Sequence, residues 1–255
     1  MSRPRSPTGG RDDETAQSNV LGFVLVFTIV VTTIGVVFAA GVPVLQDVQD
    51  RERVDNMERA FEILDNNVED IVYREAPSRA TEIRLSGGSI DTAGSTRVNV
   101  SVENDPNSPY IARTRPITYA DEGTTIRTAF GGVVRSDGAG ATMISEPEWR
   151  VSGERAVLPL IVTTQSADGA SVGGSLTLLV VADAERRTAS SFETDPGNVS
   201  TVTVTVTSAY PSAWARYFDS KDVGSVSVSG DQVTYELDTE AVYVPRVRIS
   251  VGFQR

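Results

Sequence analysis

Two reactive residue types are missing from the sequence: among 255 residues there is no cysteine and no histidine. Disulfides, zinc sites built from Cys and His, cysteine nucleophiles and histidine general bases are therefore excluded. We expect a protein that is not an enzyme, with no catalytic residue, no bound metal and no cofactor.

Lysine is almost absent as well, because Lys221 is the only one and the other basic residues are arginine. Acidic residues outnumber basic ones by 34 to 23, which gives a net charge of −11. A nucleic-acid partner requires a basic surface, so we expect none. The acidic, lysine-poor composition resembles that of proteins from salt-loving archaea, in which molar salt screens the self-repulsion of a large net charge.

One long apolar run is present, and it extends from Val20 to Leu45 without a charged residue. As a helix it would span about 39 Å, which exceeds the roughly 30 Å of a bilayer hydrocarbon core. A removable signal peptide has a shorter apolar region of ~7–15 residues. The length favours a transmembrane helix at residues 19–45 over two alternatives, a removable signal and a core helix. The polar leader at residues 1–18 lacks apolar periodicity and is expected to be disordered.

A second helix pattern follows the apolar run, at residues 46–76, and Pro77 ends it. Its apolar residues recur at steps of three and four and form one stripe on a charged helix: Val54, Met57, Phe61, Leu64, Val68 and Ile71. The stripe predicts packing on the domain that follows, with a short coiled coil as the alternative. The carboxylates of Asp65, Glu69 and Asp70 lack the spacing of a calcium loop and are interpreted as a solvated face.

The rest of the chain, residues 77–255, alternates with the period of two that is typical of β-strands. The segment Thr201–Thr207 alternates Thr and Val strictly, which predicts one buried and one wet face. A single helical turn, "YPSAWARYFDS", places Trp214, Tyr217 and Phe218 on one face, and we expect them in the core. The predicted fold class is α+β, in which a long N-terminal membrane helix continues as an amphipathic helix packed on a β-rich head (an antiparallel sheet or a sandwich).

Two kinds of short motif remain to be weighed. Gly169, Ser171 and Gly173 match the hydrolase pattern G-x-S-x-G, but without a histidine to serve as the base they are interpreted as a loop. Asn99 and Asn198 each begin an N-x-S glycosylation pattern. Modification at either would place the head outside the cell.

The stretch "AQSNVLGFVLVFTIVVTTIGVVFAA" resembles the N-terminus of haloarchaeal type IV pilins and pilin-like proteins, where a charged leader precedes a pattern like V-S-E-V-x-G and an apolar helix. Ser18, Val20 and Gly22 match that pattern. The resemblance, which extends to an uncharacterised pilin-like group, implies cleavage by a prepilin-peptidase-type enzyme between Ala16 and Gln17. It also implies membrane lipid and further pilin-like subunits as partners.

The function expected from this resemblance is that of a pilin-like structural subunit in the cell membrane. It would have one membrane span and its C-terminal domain outside the cell. The alternative is a single-pass surface protein whose head binds a ligand or a partner and forms no filaments. Basic residues flank the apolar run on both sides, so the positive-inside rule does not decide the orientation.

The acidic composition predicts a salt-dependent stability. Self-repulsion destabilises the compact state at low ionic strength, so the soluble fragment from residue 46 onward should melt at a lower temperature as salt is reduced from the molar range. Calorimetry in a series of NaCl concentrations measures this. A melting temperature that stays flat across the series would contradict the halophilic interpretation.

Overall fold

The chain divides into two compact units, Met1–Glu52 and Arg53–Arg255. A computed structural model describes residues 12–138, 140–166, 171–195 and 198–255. The first unit contributes the larger part of one helix, and the second holds the remainder of that helix, a short helix and the strands found among the described residues.

The long helix α1 extends over Asp12–Tyr73, and the short helix α2 over Pro211–Asp219. Residues 12–18 are helical, although the sequence predicted a polar leader without structure there. Helix α2 begins with Pro211 in its first turn, where the missing N–H of proline has no cost.

Fifteen strands follow α1 within the described residues. They are β1 (Ser78–Asp91), β2 (Thr96–Val102), β3 (Tyr110–Thr114), β4 (Thr118–Asp121), β5 (Thr124–Ala129), β6 (Gly132–Ser136), β7 (Ala141–Ser145), β8 (Arg150–Val151), β9 (Arg155–Val157), β10 (Leu160–Gln165), β11 (Ser171–Glu193), β12 (Ser200–Thr207), β13 (Ser225–Ser229), β14 (Gln232–Thr239) and β15 (Ala241–Gln254). The α+β class with a β-rich head is therefore confirmed.

The larger sheet, sheet A, has ten strands in the order β7-β6-β5-β4-β1-β11-β15-β9-β8, with β10 also paired to β15. Its longest ladders join β11 to β1 and to β15, both antiparallel. Strands β9 and β10 pair with β15 in parallel, so the sheet is mixed rather than purely antiparallel. The long strand β11 therefore lies between the other two long strands of sheet A, β1 and β15.

The smaller sheet, sheet B, has five antiparallel strands in the order β13-β14-β12-β2-β3. On β12 the residues Val202, Val204 and Val206 are fully buried, whereas the threonines between them are partly or fully exposed. The strict alternation predicted for this segment is confirmed.

Two apolar cores lie on opposite sides of sheet A. Strand β10 shows the division, because Leu160 and Val162 belong to the core shared with sheet B and α2, while Ile161 belongs to the other core. That second core contains residues of α1 together with β1, β4, β5, β6, β11 and β15. Sheet A is therefore apolar on both faces.

Helix α2 fills the core between the sheets with aromatic side chains. Trp214, Tyr217 and Phe218 are buried, and Phe218 stacks on Tyr235 of β14 with 4.8 Å between the ring centroids. Trp149 lies 5.7 Å from Trp214. The expectation that these aromatics serve packing is confirmed.

The buried residues of α1 predict a large effect of truncation. Phe61 and Leu64 are 0% and 1% exposed, so replacing either by Ala should lower the free energy of unfolding by about 2–5 kcal/mol. The matched control is Ile63→Ala on the same helix, where the side chain is 55% exposed and the change should stay within about 0.5 kcal/mol. Urea denaturation of the fragment that begins at Gln46 measures both. Equal effects at Phe61 and Ile63, or a stable soluble fragment that begins at Ser78, would contradict the role of this helix in the head.

Candidate functional site

The first unit contains a helix long and apolar enough to cross a membrane. The segment Val20–Ala40 has 21 residues with a mean hydropathy of 2.7, and none of it is buried. Large side chains such as Phe23 (71% exposed) and Phe38 (67% exposed) face outward. So much exposed apolar surface is unfavourable in water, which makes this segment a candidate membrane anchor.

Two of the three threonine hydroxyls within this segment are satisfied inside the helix. The Thr28 hydroxyl donates to the Val24 carbonyl and the Thr33 hydroxyl to the Ile29 carbonyl, each at 2.7 Å. A hydroxyl that donates to the carbonyl four residues earlier leaves no unpaired donor. The segment can therefore enter hydrocarbon, where unpaired polar groups cost several kcal/mol.

In the second unit, α1 presents an apolar face to sheet A, which we call the docking face. It consists of Met57, Phe61, Leu64, Val68 and Ile71, all of which are buried. Val54, the first residue of the predicted stripe, is only partly buried.

Side-chain pairs between α1 and sheet A surround the docking face. Glu58 forms an ion pair with Arg135 of β6, and Asp70 forms one with Arg79 of β1 at 3.1 Å. Partly exposed ion pairs of this kind contribute about 1 kcal/mol or less each. Their geometry fixes the rotation of the helix about its axis, whereas the apolar face supplies most of the stabilisation.

The C-terminal end of α1 is capped from β11. The Arg187 guanidinium donates to the carbonyls of Ile71 and, at 3.1 Å, of Val72. The last turn of α1 contains no basic residue of its own, and the last carbonyls of a helix lack partners within it. Arg187 supplies both the missing donors and a positive charge near the negative end of the helix dipole.

Asp65 is the unexpected residue of this region. It was predicted to lie on a solvated face with Glu69 and Asp70, but it is only 6% exposed, while the other two are partly buried. The prediction was wrong because Asp65 lies one turn beyond Phe61 and beside Leu64, at the margin of the docking face. Periodicity in the sequence marks apolar positions and gives no signal for a carboxylate there.

The surroundings of Asp65 favour its neutral form. The Ser145 hydroxyl of β7 donates to its carboxyl group, and a small cavity of about 20 Å³ beside it is also lined by Thr128 and Thr163. Burial raises the pKa of Asp65 to about 7, and the charge of Glu69 adds to this increase, whereas the Ser145 hydrogen bond opposes it. The carboxyl group therefore titrates near neutral pH.

The predicted modification sites are placed in different surroundings. Asn99 lies on β2 between β12 and β3, and its Oδ1 is buried without a hydrogen-bond partner. Asn198 precedes β12 and is exposed, and its N–H donates to the Asp195 carbonyl at 2.9 Å. Of the two, Asn198 is the accessible acceptor. The candidate cleavage residues Ala16 and Gln17 lie within α1.

The G-x-S-x-G match is not arranged as a hydrolase site. Ser171 is the first residue of β11 and pairs with Asp91 of β1, whereas a nucleophile elbow requires a turn from a strand into a helix. Gly169 lies outside the described residues. Among the described residues, no group of three or more acidic side chains is arranged to hold a metal ion.

The chain belongs to a family of unknown function, DUF7289, whose model matches residues 15–252. No curated protein and no solved structure matched the chain. The family match begins near the candidate cleavage site and includes the apolar segment, the docking face and nearly all of the head.

The pKa of Asp65 predicts a pH-dependent stability. Since its pKa is raised from 3.8 to about 7 in the folded state, the folded state binds more protons in that interval and stability falls as pH rises through it. Asp65→Asn should remove this slope and stabilise the fragment from Gln46 at pH 8, by up to roughly 4 kcal/mol. At pH 4 the two proteins should differ little, because Asp65 is then protonated.

Urea denaturation at pH 4, 6 and 8 and constant salt measures this effect. Glu62→Gln is the matched control, because Glu62 lies on the same helix and is exposed. If Asp65→Asn keeps the slope of the parent protein, the carboxyl group is not buried in its neutral form.

Proposed function

We propose that this protein is a membrane-anchored, pilin-like structural subunit of the cell surface, with its β-rich domain outside the cell. The observation that carries the proposal is the composition of α1. One helix contains both an exposed apolar segment of 21 residues and the docking face buried in the head.

The architecture fits the need of a surface subunit to connect an anchor to a folded domain. On this proposal the amphipathic part of α1 packs on sheet A as an integral element of the head. Arg187, Asp70 and Glu58 support that role through the contacts described above.

The N-terminal pattern supports the pilin-like part of the proposal. Ser18, Val20 and Gly22 match the pilin pattern, and a peptidase acting between Ala16 and Gln17 would leave the apolar segment attached to the head. Membrane lipid and other subunits of the same kind are the proposed partners. The acidic surface and the exposed acceptor Asn198 are consistent with a head that faces a saline exterior.

A cleft in the head favours one other function, a surface protein that binds a ligand and does not polymerise. The cleft has a volume of about 640 Å³ and lies between the open side of β3 and the strands β11 and β15. Asn107, Tyr110, Ser190 and Arg246 contribute polar groups to its wall. These donors and acceptors suit a small polar ligand, and such a role requires an anchor but no filament.

The proposal predicts the mature N-terminus of the protein in its native membrane. Processing of the pilin type should give a chain that begins at Gln17 and retains the whole apolar segment. Mass spectrometry of the N-terminal peptide from isolated membranes measures this. The head should be found in the membrane fraction and be cleaved by protease added to intact cells.

Two other N-termini would each contradict a different part of the proposal. An intact start at Met1 or Ser2 would contradict pilin-type processing and favour the surface-binding alternative. A start near Gly41 would show removal of the apolar segment and contradict membrane anchoring altogether.

A further inference from the structure

The edge strands of sheet A are protected against pairing with other chains. At the open side of β7, Arg216 of α2 donates to the Ala141 carbonyl. Strand β8, at the opposite end, is only two residues long and contains Arg150. Natural sheets use short strands, charged residues and covering elements to block unwanted pairing at their edges.

The edge of sheet B formed by β3 is protected in the same way. Arg246 of β15 donates to the Ile111 carbonyl at 2.8 Å. The end of β3 is also joined to β10, since the N–H of Arg115 donates to the Thr163 carbonyl at 3.0 Å. An additional strand could not pair along β3 without displacing these contacts.

Strand β13, at the other end of sheet B, is contacted by α2, but no charged residue lies on it and, among the described residues, no side chain is seen to hydrogen-bond to its backbone. It pairs with β14 on one side only, and four of its five residues are exposed, including Val228 at 54%. It contains no charged residue and no proline. In a chain with a net charge of −11, β13 is a neutral strand with an open edge.

The sequence of β13 is the same in both directions: Ser225, Val226, Ser227, Val228, Ser229. A two-fold axis through Ser227 would place each strand antiparallel to its copy, with Ser opposite Ser and Val opposite Val. Contacts related by a two-fold axis require a self-complementary surface, and cross-strand pairs of matched residues stabilise a sheet.

We propose that β13 pairs antiparallel with β13 of a second copy of this chain, so that sheet B continues across a two-fold dimer. Contacts on the inner face of the β13–β14 hairpin, towards α2, keep β13 in position for this pairing. Val226 lies opposite Tyr235, on which Phe218 of α2 stacks. Because the contact is two-fold, it joins two copies and no more. It does not depend on any assembly through the apolar segment.

The strength of the contact depends on the salt concentration and on whether the two copies lie in the same membrane. Asp222 and Asp231 flank β13, and in the dimer Asp222 of one copy lies near Asp231 of the other, so the repulsion between them is screened as salt rises. A pair of five-residue strands is a small contact and is weak between free molecules. If the proposed membrane anchoring holds, two copies in one membrane meet at a higher effective concentration, which favours the dimer.

Disulfide trapping of the full-length protein tests the geometry, because the chain has no cysteine of its own. In Ser227→Cys the two copies of the substituted residue lie opposite each other, with about 4.5–5.5 Å between Cα atoms, within the range of a disulfide. In the matched controls Ser225→Cys and Ser229→Cys the two copies are about 13 Å apart along the strands. Oxidation in detergent at molar salt should therefore link Ser227→Cys at least about ten times faster than either control.

A second variant tests whether β13 pairing itself is required. Adding Val228→Lys to Ser227→Cys places a charge on the open strand and should abolish the cross-link, while an unchanged circular dichroism spectrum shows that the fold is kept. Cross-linking should also be faster in lipid vesicles than in detergent. A cross-link in detergent that does not increase in vesicles would count against the membrane anchoring and leave the dimer contact supported.

Three results would overturn the dimer. The first is equal cross-linking at all three serine positions, which would indicate random collision. The second is the absence of a cross-link in Ser227→Cys. The third is a cross-link that survives Val228→Lys. A mixed experiment covers head-to-tail pairing: a link between Ser227→Cys in one chain and Ile111→Cys in another, in place of the symmetric link, would also overturn it.

Discussion

The burial of the docking face against sheet A is the interaction on which the head depends. Sheet A is apolar on both faces, and sheet B covers only one of them. Without α1, buried residues such as Ile83, Leu178 and Ile249 would be exposed to water. Since each buried aliphatic side chain contributes about 1.5–3 kcal/mol, exposing these three residues alone would cost roughly 4.5–9 kcal/mol, which is comparable with the 5–15 kcal/mol by which a typical domain is stable. Met57, Phe61, Leu64, Val68 and Ile71 of α1 therefore belong to the apolar core on this side of sheet A.

This constraint gives α1 two different surfaces. From Val20 to Ala40 its side chains are uncharged, mostly apolar and exposed, whereas between Arg53 and Tyr73 it is apolar on one face and charged on the rest. The first surface is suited to hydrocarbon and the second to one face of a sheet in water. The change in pattern occurs within one helix, so the sequence that specifies the candidate anchor and the sequence that completes the head core are parts of the same element.

The sequence predicts the elements whose apolar side chains recur with a clear period. It does not mark short strands whose conformation depends on pairing with neighbouring strands. Strand β12 and helix α2 were predicted correctly because their apolar residues recur with a clear period. Strands β3, β4 and β7 have four or five residues each and border prolines or glycines, so the period of two is too short there to mark their bounds. Strand β11 extends to Glu193 through a mostly exposed segment, where its ladder with β15 fixes the conformation. For the candidate site, the apolar segment and the docking face could be predicted, whereas the burial of Asp65 and the Arg187 cap depend on contacts between distant residues.

The chain has many arginines and one lysine, and arginine side chains make several of its side-chain hydrogen bonds to backbone carbonyls. Arg187, Arg216 and Arg246 each donate to backbone carbonyls that have no partner within their own helix or strand, at the end of α1 and at the edges of β7 and β3. A guanidinium group has five donors in a planar fork and is weakly hydrated, so it can cap a carbonyl at lower cost than an ammonium group. The single lysine, Lys221, contacts the Glu146 carboxylate and the face of Tyr217 instead. The same residue type therefore ends helix α1 and contacts the edge strands β7 and β3.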